Sequence, residues 1–421
     1  MSQTDVSTNA EQRAAETRRR YRLLVLASHV IQMDGPWYQN LAAHPEIDLT
    51  VLYCSRWGLN DPPADACFGR TKAWDRPLLE GYRHQFLSNL NPMGLLPGKF
   101  WTLINPGIIR YVMRGRYDAL IVNGWAYPTD WLAFLAGFAS GTPVLVRGDS
   151  NVVAKPKNRF KAGLKRVVLD ALFRHCSGIL ASGHYNAEFY RMYGVPDSKI
   201  FPVPFCVDND FFLAKADEFL PRKRELKQAL GIDPDAVVIL CCGRLAEVKR
   251  PLDLLRAFEL SGRSKAVVLA YAGDGPLRAT IESYVKENRI KGVYLLGFRN
   301  QSELPRVCAA ADVFVLPSGS EPWGLVVNEA MCFGLPVIAS DKVGASGDLV
   351  RPRVNGFIVH SGDVEGLAGC LQVLSEDSTL RSKMGAASRE IIGTWNYTAA
   401  TEGVVSCLRS LSGRRKHPES Q

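Results

Sequence analysis

Short apolar runs alternate with helical stretches along most of this chain, and that alternation limits the fold more than any other feature. "YRLLVLASHV" (Tyr21–Val30) and "IDLTVLYCS" (Ile47–Ser55) read as buried strands with a helical stretch between them. "YDALIVNGW" (Tyr117–Trp125), "GTPVLVRGDS" (Gly141–Ser150), "CSGILASG" (Cys176–Gly183) and "SKIFPVPFCVD" (Ser198–Asp208) continue the pattern. Strands that are apolar throughout are buried on both faces, with helices supplying the cover. The expectation is a parallel α/β sheet.

After a charged, helix-like stretch from Phe211 to Leu230 the pattern restarts. "DAVVILCCGRL", "AVVLAYAGDGP", "GVYLLGFR", "DVFVLPSG", "LPVIAS" and "NGFIV" follow in turn, again with helices between them. A chain of 421 residues, 47% hydrophobic, is long enough for two cores. The expected division is a disordered tail over 1–20, a first domain over 21–205 and a second over 206–395. Two sheets then face a cleft. Residues 413–421 are expected to be a disordered tail.

Composition narrows the setting. The net charge of +9 suits an anionic partner. Ten cysteines are scattered with no C-x-x-C pair, several inside apolar runs, which points to reduced thiols rather than disulfides or a zinc site. The polar start "MSQTDVSTNAEQRAAETRRR" lacks the apolar segment of a secretory signal. The most apolar window, "WLAFLAGFA", is too short to span a bilayer. The expected location is cytoplasmic, including a peripheral position on the inner face of a membrane.

In open parallel sheets ligands bind at the carboxyl ends of strands. In the second unit these ends carry "GRLAEVKR", "AGDGP", "LLGFR" and "SGSEPWGLVVNEA". Gly243 makes a turn, and Arg244 and Lys249 follow. Two such cations can hold a diphosphate, Arg as a fork and Lys as a point charge. They can equally be solvated charges at a helix start. The glycines around Gly273 and Asp274 allow a tight turn and close approach of a ligand. Arg299 is expected to point into the same crevice. The stretch from Ser318 places Glu321 before a helix that starts near Gly324. Backbone N–H groups of Gly324, Leu325 and Val326 suit a phosphate. Glu329 lies one turn inward on the face of Leu325. Carboxylates accept hydrogen bonds and suit hydroxyl-rich groups such as a ribose and a hexose.

In that order and spacing, "GRLAEVK", "AGDGP", "LLGF" and "SEPWGLVVNEAMCFGLPVIAS" resemble the C-terminal domain of retaining GT-B glycosyltransferases of family four. The E-x7-E motif of that family matches Glu321 and Glu329. The resemblance runs from about Pro204 to Tyr397 and, weakly, through "ASGHYNAEFYRMYGVPDSKIFPVPFCVD". It implies the GT-B fold, two Rossmann-like parallel-sheet domains facing a cleft, with a crossover helix over 396–412 returning to the first domain. It implies that Glu321 meets donor-sugar hydroxyls, Glu329 the ribose, and Arg244 and Lys249 the diphosphate. Gly35, Gly243, Gly273, Asp274, Arg299, Pro322, Trp323, Gly324, Leu325 and Val326 complete the expected donor site. Neither metal nor cofactor is implied; the nucleotide-sugar is a substrate. The implied partners are that donor and a carbohydrate or lipid-linked acceptor in polysaccharide or glycolipid biosynthesis, and nucleic acid is not expected.

The first domain departs from the family. Only Gly35 stands in "SHVIQMDGPW", where a Gly-Gly loop is common. The usual histidine at a strand end is missing from "NGWAY" and "VRGDSN". Asp149, Arg147 and His29 are the candidates for that space, although a lone histidine beside a core strand is more often structural. The segment Lys155–His175 carries seven Lys/Arg and one acid, Asp170, with Phe160, Leu164, Val168 and Leu172 spaced by four. It is either a surface helix with this stripe on the core or a helix drawn to an anionic membrane surface. Two other readings stay open: a sugar-nucleotide epimerase or hydrolase, and a non-catalytic nucleotide-binding protein.

Overall fold

The computed structural model describes residues 20–57, 59, 77–91, 99–152, 159–262 and 266–416. The first seven strands are β1 (Tyr21–Ala27), β2 (Ile47–Tyr53), β3 (Arg83–Phe86), β4 (Ala119–Asn123), β5 (Val144–Arg147), β6 (Gly178–Ala181) and β7 (Ile200–Pro202). They form a parallel sheet in the order β3-β2-β1-β4-β5-β6-β7. Its helices are α1 (Asp34–Ala43), α2 (Gly107–Gly115), α3 (Pro128–Ser140), α4 (Arg159–His175) and α5 (His184–Met192). The fully apolar runs lie where burial on both faces demands them: Leu23 to Val25 and Leu120 to Val122 are inaccessible to solvent.

The second unit opens with α6 (Asn209–Phe219) and α7 (Lys223–Ala229). Its strands are β8 (Val237–Cys242), β9 (Val267–Ala272), β10 (Val293–Leu295), β11 (Val313–Leu316), β12 (Val337–Ser340) and β13 (Gly356–Val359). They form a second parallel sheet, β10-β9-β8-β11-β12-β13. Around it lie α8 (Pro251–Leu260), α9 (Arg278–Glu287), α10 (Leu304–Ala310), α11 (Leu325–Cys332), α12 (Ser346–Leu349), α13 (Val364–Glu376) and α14 (Ser378–Gly393). In both sheets the strand order reverses direction beside the first strand of the unit, which opens a crevice at the carboxyl ends.

The chain crosses between the sheets twice, at 203–208 and just after α14. The crossings are tied to each other. The Phe205 carbonyl accepts from Trp395 Nε1 at 2.6 Å and from Asn328 Nδ2 at 3.2 Å. The Asn209 amide donates to the carbonyls of Ile392 and Trp395. The last helix, α15 (Tyr397–Lys416), returns to the first domain, where Val404, Val405 and Leu408 join the core of β1 and β2. It runs past the end expected at 412, so residues 413–416 are helical rather than a disordered tail. The expected tail at 1–20 falls outside the described residues except for Arg20, as do residues 417–421 and Cys67. The nine cysteines that are described are all free, and eight of them are buried.

Candidate active site

The second domain builds its half of the site from loops locked edge to edge. Gly243 N–H donates to the Ala272 carbonyl at 3.0 Å, and Leu245 N–H to the Asp274 carbonyl at 2.9 Å. Gly273 is required by this closeness: a Cβ there would stand 1.8 Å from the Gly243 carbonyl oxygen. The glycine therefore serves loop-against-loop packing. The turn Glu247–Lys249 is joined to the loop after β11 by Gly319 N–H donating to the Val248 carbonyl at 2.7 Å. Glu321 is held by its backbone, its N–H donating to the Lys342 carbonyl and its carbonyl accepting from Gly344.

These bonds bring Lys249 and Glu321 together as an ion pair. The pair is largely buried, and burial holds the Lys249 ammonium below its usual pKa despite the carboxylate beside it. Arg244 lies on the same rim, and its Nε has no partner among the described residues. Next in the chain comes Gly324, in the left-handed region at φ 97°, immediately before α11. Among the described residues no side chain caps this helix, which leaves its first N–H groups and the positive end of its dipole at this rim.

Glu329 lies one turn into α11 and is buried, with Oε2 unpartnered among the described residues. Desolvation raises its pKa to about 8, so at neutral pH it is mostly protonated. A cavity of about 180 Å³ opens between the domains beside it. Its lining joins His29, Gln32, Met33 and Trp57 of the first domain to Asp208, Gln301, Leu325 and Glu329 of the second, with Tyr397 from the crossover helix. His29 follows β1, its Nδ1 2.9 Å from the Ser28 hydroxyl and its ring edge-on to Trp57. Burial lowers its pKa to about 4, which keeps the imidazole neutral.

Several expected site residues lie elsewhere. Arg147 is buried and paired with Asp34 at 3.1 Å, its guanidinium over the rings of Trp37 (4.2 Å) and Phe205 (4.6 Å). Its charge is thus spent within the first domain. Asp149 is exposed on the loop after β5. His29, disfavoured by the sequence, is the one of the three that lines the cavity. Gly35 is buried against Leu78, whose carbonyl oxygen would stand 2.8 Å from a Cβ there; this contact, not a donor, accounts for the glycine. Trp323 points away from the site, stacked on Trp395 with centroids 5.6 Å apart, its Nε1 donating to Asn328. The Pro322 carbonyl accepts from Asn151 of the first domain. Arg299 does not line the cavity: it donates to the Leu296 carbonyl and lies 3.5 Å from Glu303. Asp274 accepts from its neighbour Gly275, and Val326 is partly exposed beside Leu325.

Two Asp-x-Asp strings, at 208–210 and 233–235, have structural roles. Asp208 caps α6 by accepting from Phe211 N–H, and Asp233 accepts from Asp235 N–H in a turn. Among the described residues no group of three His, Cys, Asp or Glu side chains could hold a metal ion. Sequence reasoning missed Trp57, Gln301 and Tyr397. Only Tyr397 gave a signal, as an aromatic at the start of the crossover helix; its hydroxyl donates to the Met33 carbonyl at 2.9 Å.

Two parallel-sheet domains facing a cleft, with a helix crossing back, define a GT-B fold. Residues 222–391 match the family described as glycosyl transferases group 1. The chain is 32% identical over 192 residues to the sulfoquinovosyl transferase SQD2 of Arabidopsis thaliana, covering 44% of this chain and 36% of that protein. It is 29% identical over 241 residues to a D-inositol 3-phosphate glycosyltransferase of Xylanimonas cellulosilytica, covering 56% and 58%. With an Escherichia coli UDP-Gal:alpha-D-GlcNAc-diphosphoundecaprenol alpha-1,3-galactosyltransferase it shares 26% over 306 residues, covering 70% and 76%. The matched stretches thus span between about a third and three fifths of the length of the first two of these relatives. A crystal structure of Anabaena Alr3699/HepE in complex with UDP superposes with a TM-score of 0.69 at 20% identity, covering 93% of this chain and all of that one.

Proposed function

We propose that the chain is a retaining glycosyltransferase that moves a sugar from a uridine-diphosphate donor to a carbohydrate or lipid-linked acceptor. The observation that carries this reading is the Lys249–Glu321 pair on the rim that also holds Arg244 and the uncapped start of α11. A departing diphosphate gathers negative charge, and two cations with a helix N-terminus answer it without rearrangement. Glu321 takes donor-sugar hydroxyls. Glu329 takes the ribose, its neutral carboxyl able to donate as well as accept. A phosphate oxygen of the leaving group takes the acceptor proton on the face from which it departs. His29 lines the cavity from the first domain. Its neutral ring serves as a hydrogen-bond partner rather than a cation.

The donor base is supported by the UDP in the HepE structure and by the name of the galactosyltransferase, and the lipid-linked acceptor by that same name. The expected location is the cytoplasmic face of a membrane; among the described residues no helix is long and apolar enough to cross one. The test is nucleoside-diphosphate release from a panel of UDP-sugars, with and without a cell-envelope lipid extract. Release that needs the extract, with the axial or equatorial bond of the donor kept in the product, supports the reading. Turnover lost on chelation and restored by magnesium contradicts the metal-free part, and no binding of any UDP-sugar contradicts the whole.

A further inference from the structure

Helices α2, α3 and α4 cover one face of the first sheet. Their inward residues, Ile108 and Val112, Phe134, and Leu169 with Phe173, all enter the same core. The outward side of this layer is not an ordinary surface. Ile109 and Met113 on α2, Leu135 on α3 and Val167 on α4 are between 40% and 68% exposed. Exposed arginines, Arg110 and Arg114, alternate with the apolar pair on α2, and Lys165 and Arg166 precede Val167 on α4. The three helices contain two acids. Asp130 is buried, and Asp170 is paired with Arg174 at 2.7 Å. The three helices together carry a positive net charge.

The stripe expected along α4 does not simply face the core. Leu172 is buried, but Val168 is 41% exposed, and the core-facing neighbours are Leu169 and Phe173. Lys155 to Asn158 lie outside the described residues, as do the side chains of Phe160 and Leu164. The stretch before α2 lies at the carboxyl end of the sheet, where the Asn105 amide donates to the Cys54 carbonyl just after β2. It carries Phe100 and Trp101, 43% and 68% exposed, with their rings edge to face at 4.9 Å. The Asn91 amide pins this turn by donating to the Trp101 carbonyl at 3.0 Å.

We infer that this layer and the Phe100–Trp101 turn form a docking surface for an anionic lipid bilayer, with the aromatic pair at the headgroup level beside the acceptor side of the cleft. Cations interleaved with aliphatic side chains are the chemistry of an interface that takes both headgroup charge and acyl contact. The exposed aliphatic side chains Ile109, Met113, Leu135 and Val167 suit acyl chains rather than stacked bases, and the Phe100–Trp101 pair suits the headgroup level. The placement deepens the proposed transfer by saying where a lipid-linked acceptor meets the enzyme, and in that respect rests on it; the surface itself is read from its own side chains.

The test is sedimentation of the full chain with vesicles of phosphatidylcholine, with or without phosphatidylglycerol, at low and high salt. Wild type is expected to bind only the phosphatidylglycerol vesicles and to be released by salt. R110E/R114E is expected to bind at least about twentyfold more weakly, since the loss of each cation near such a surface counts for about fivefold and the added carboxylates increase the loss. F100S/W101S is expected to bind the same vesicles severalfold more weakly, and the fluorescence shift on vesicles is expected of the wild type. UDP binding, measured in parallel without lipid, is expected to be unchanged in both variants, which have folded spectra. No vesicle binding by wild type, or binding that both variants retain, overturns the surface while leaving the transferase reading intact. Self-association that the same substitutions abolish overturns it too, by making the layer an interface between copies. Vesicle binding by a wild-type protein that takes no UDP-sugar upholds the surface and fails the transferase reading.

Discussion

Lys249 and Glu321, seventy-two residues apart, form an ion pair across the loops that follow β8 and β11. Each is the other's counter-charge before any donor arrives. The pair therefore holds both side chains on the rim proposed for the sugar diphosphate, while burial pulls the Lys249 pKa below its usual value. Such a pair acts as a unit, so its members should not contribute independently.

The kinetic expectation follows. Glu321→Gln should lower turnover by about a hundredfold, the worth of a contact that strengthens in the transition state. Lys249→Ala should weaken UDP binding and lower turnover as well. The double variant should lose clearly less than the product of the two single losses. Steady-state kinetics with UDP affinities for all four proteins gives the cycle. Strict multiplicativity, or near-wild-type turnover of Glu321→Gln, would separate the two residues from one shared task.

The fold was open to reading because burial on both faces leaves strands apolar throughout, and "VVILCC" or "VFVL" has no other use in a soluble core. The second half of the site was legible for a related reason: Gly243, Glu321 and Gly324 sit at strand ends, where backbone geometry and ligand position coincide. Trp323 shows the limit. It lies between two site residues in sequence, yet its ring turns to Trp395, and no local pattern distinguishes an aromatic that meets a sugar from one that packs on a hinge. Arg147 shows the same limit for charge, since its partner Asp34 is 113 residues away. His29 was undervalued because the cavity that gives it a role exists only between domains.

Glu329 should make stability depend on pH. Its pKa is raised from 4.5 to about 8 in the fold, so between those values the native protein holds one proton more than the unfolded chain. Its contribution is fully present below pH 4.5 and is lost as pH rises through 8. The slope over that window is about 1.4 kcal/mol per pH unit at most. Glu329→Gln, which cannot ionise, should flatten this part of the profile and narrow the gap between urea midpoints at pH 6 and pH 8.5. An unchanged gap would mean that the carboxyl titrates in its ordinary range.

Gly324→Ala tests the start of α11. The residue lies at φ 97°, and a Cβ there would come within 2.9 Å of Leu316 Cδ2. The left-handed backbone alone costs a side chain about 1–2 kcal/mol. The helix start should shift, lowering thermal stability modestly and UDP affinity by tenfold or more. A variant with reduced stability but wild-type UDP affinity would show that the N–H groups at this end do not hold the diphosphate.

Trp323 and Trp395 should couple the donor loop to the hinge. Trp323 is two residues from Glu321, its ring is stacked on Trp395 at an interplanar angle of 14°, and Trp395 Nε1 donates to the carbonyl of Phe205 on the other crossing strand. Gly183 of the first domain packs so tightly on Trp323 that a Cβ there would stand 2.5 Å from the ring. A change of angle between the domains must therefore move this ring or be resisted by it. Trp323→Phe keeps a flat apolar ring but leaves the Asn328 carbonyl oxygen without its donor, a loss of about 1–3 kcal/mol in stability. Its kinetics should stay near wild type. Trp323→Leu removes the stack and should lower kcat more than it raises the donor KM, because binding to the second domain survives while closure on the first does not. Small-angle scattering with and without UDP supplies the independent readout: any compaction that UDP causes in wild type should persist in Trp323→Phe and shrink in Trp323→Leu. Equal loss of kcat and of UDP affinity in the leucine variant, with compaction unchanged, would make Trp323 a core residue and nothing more.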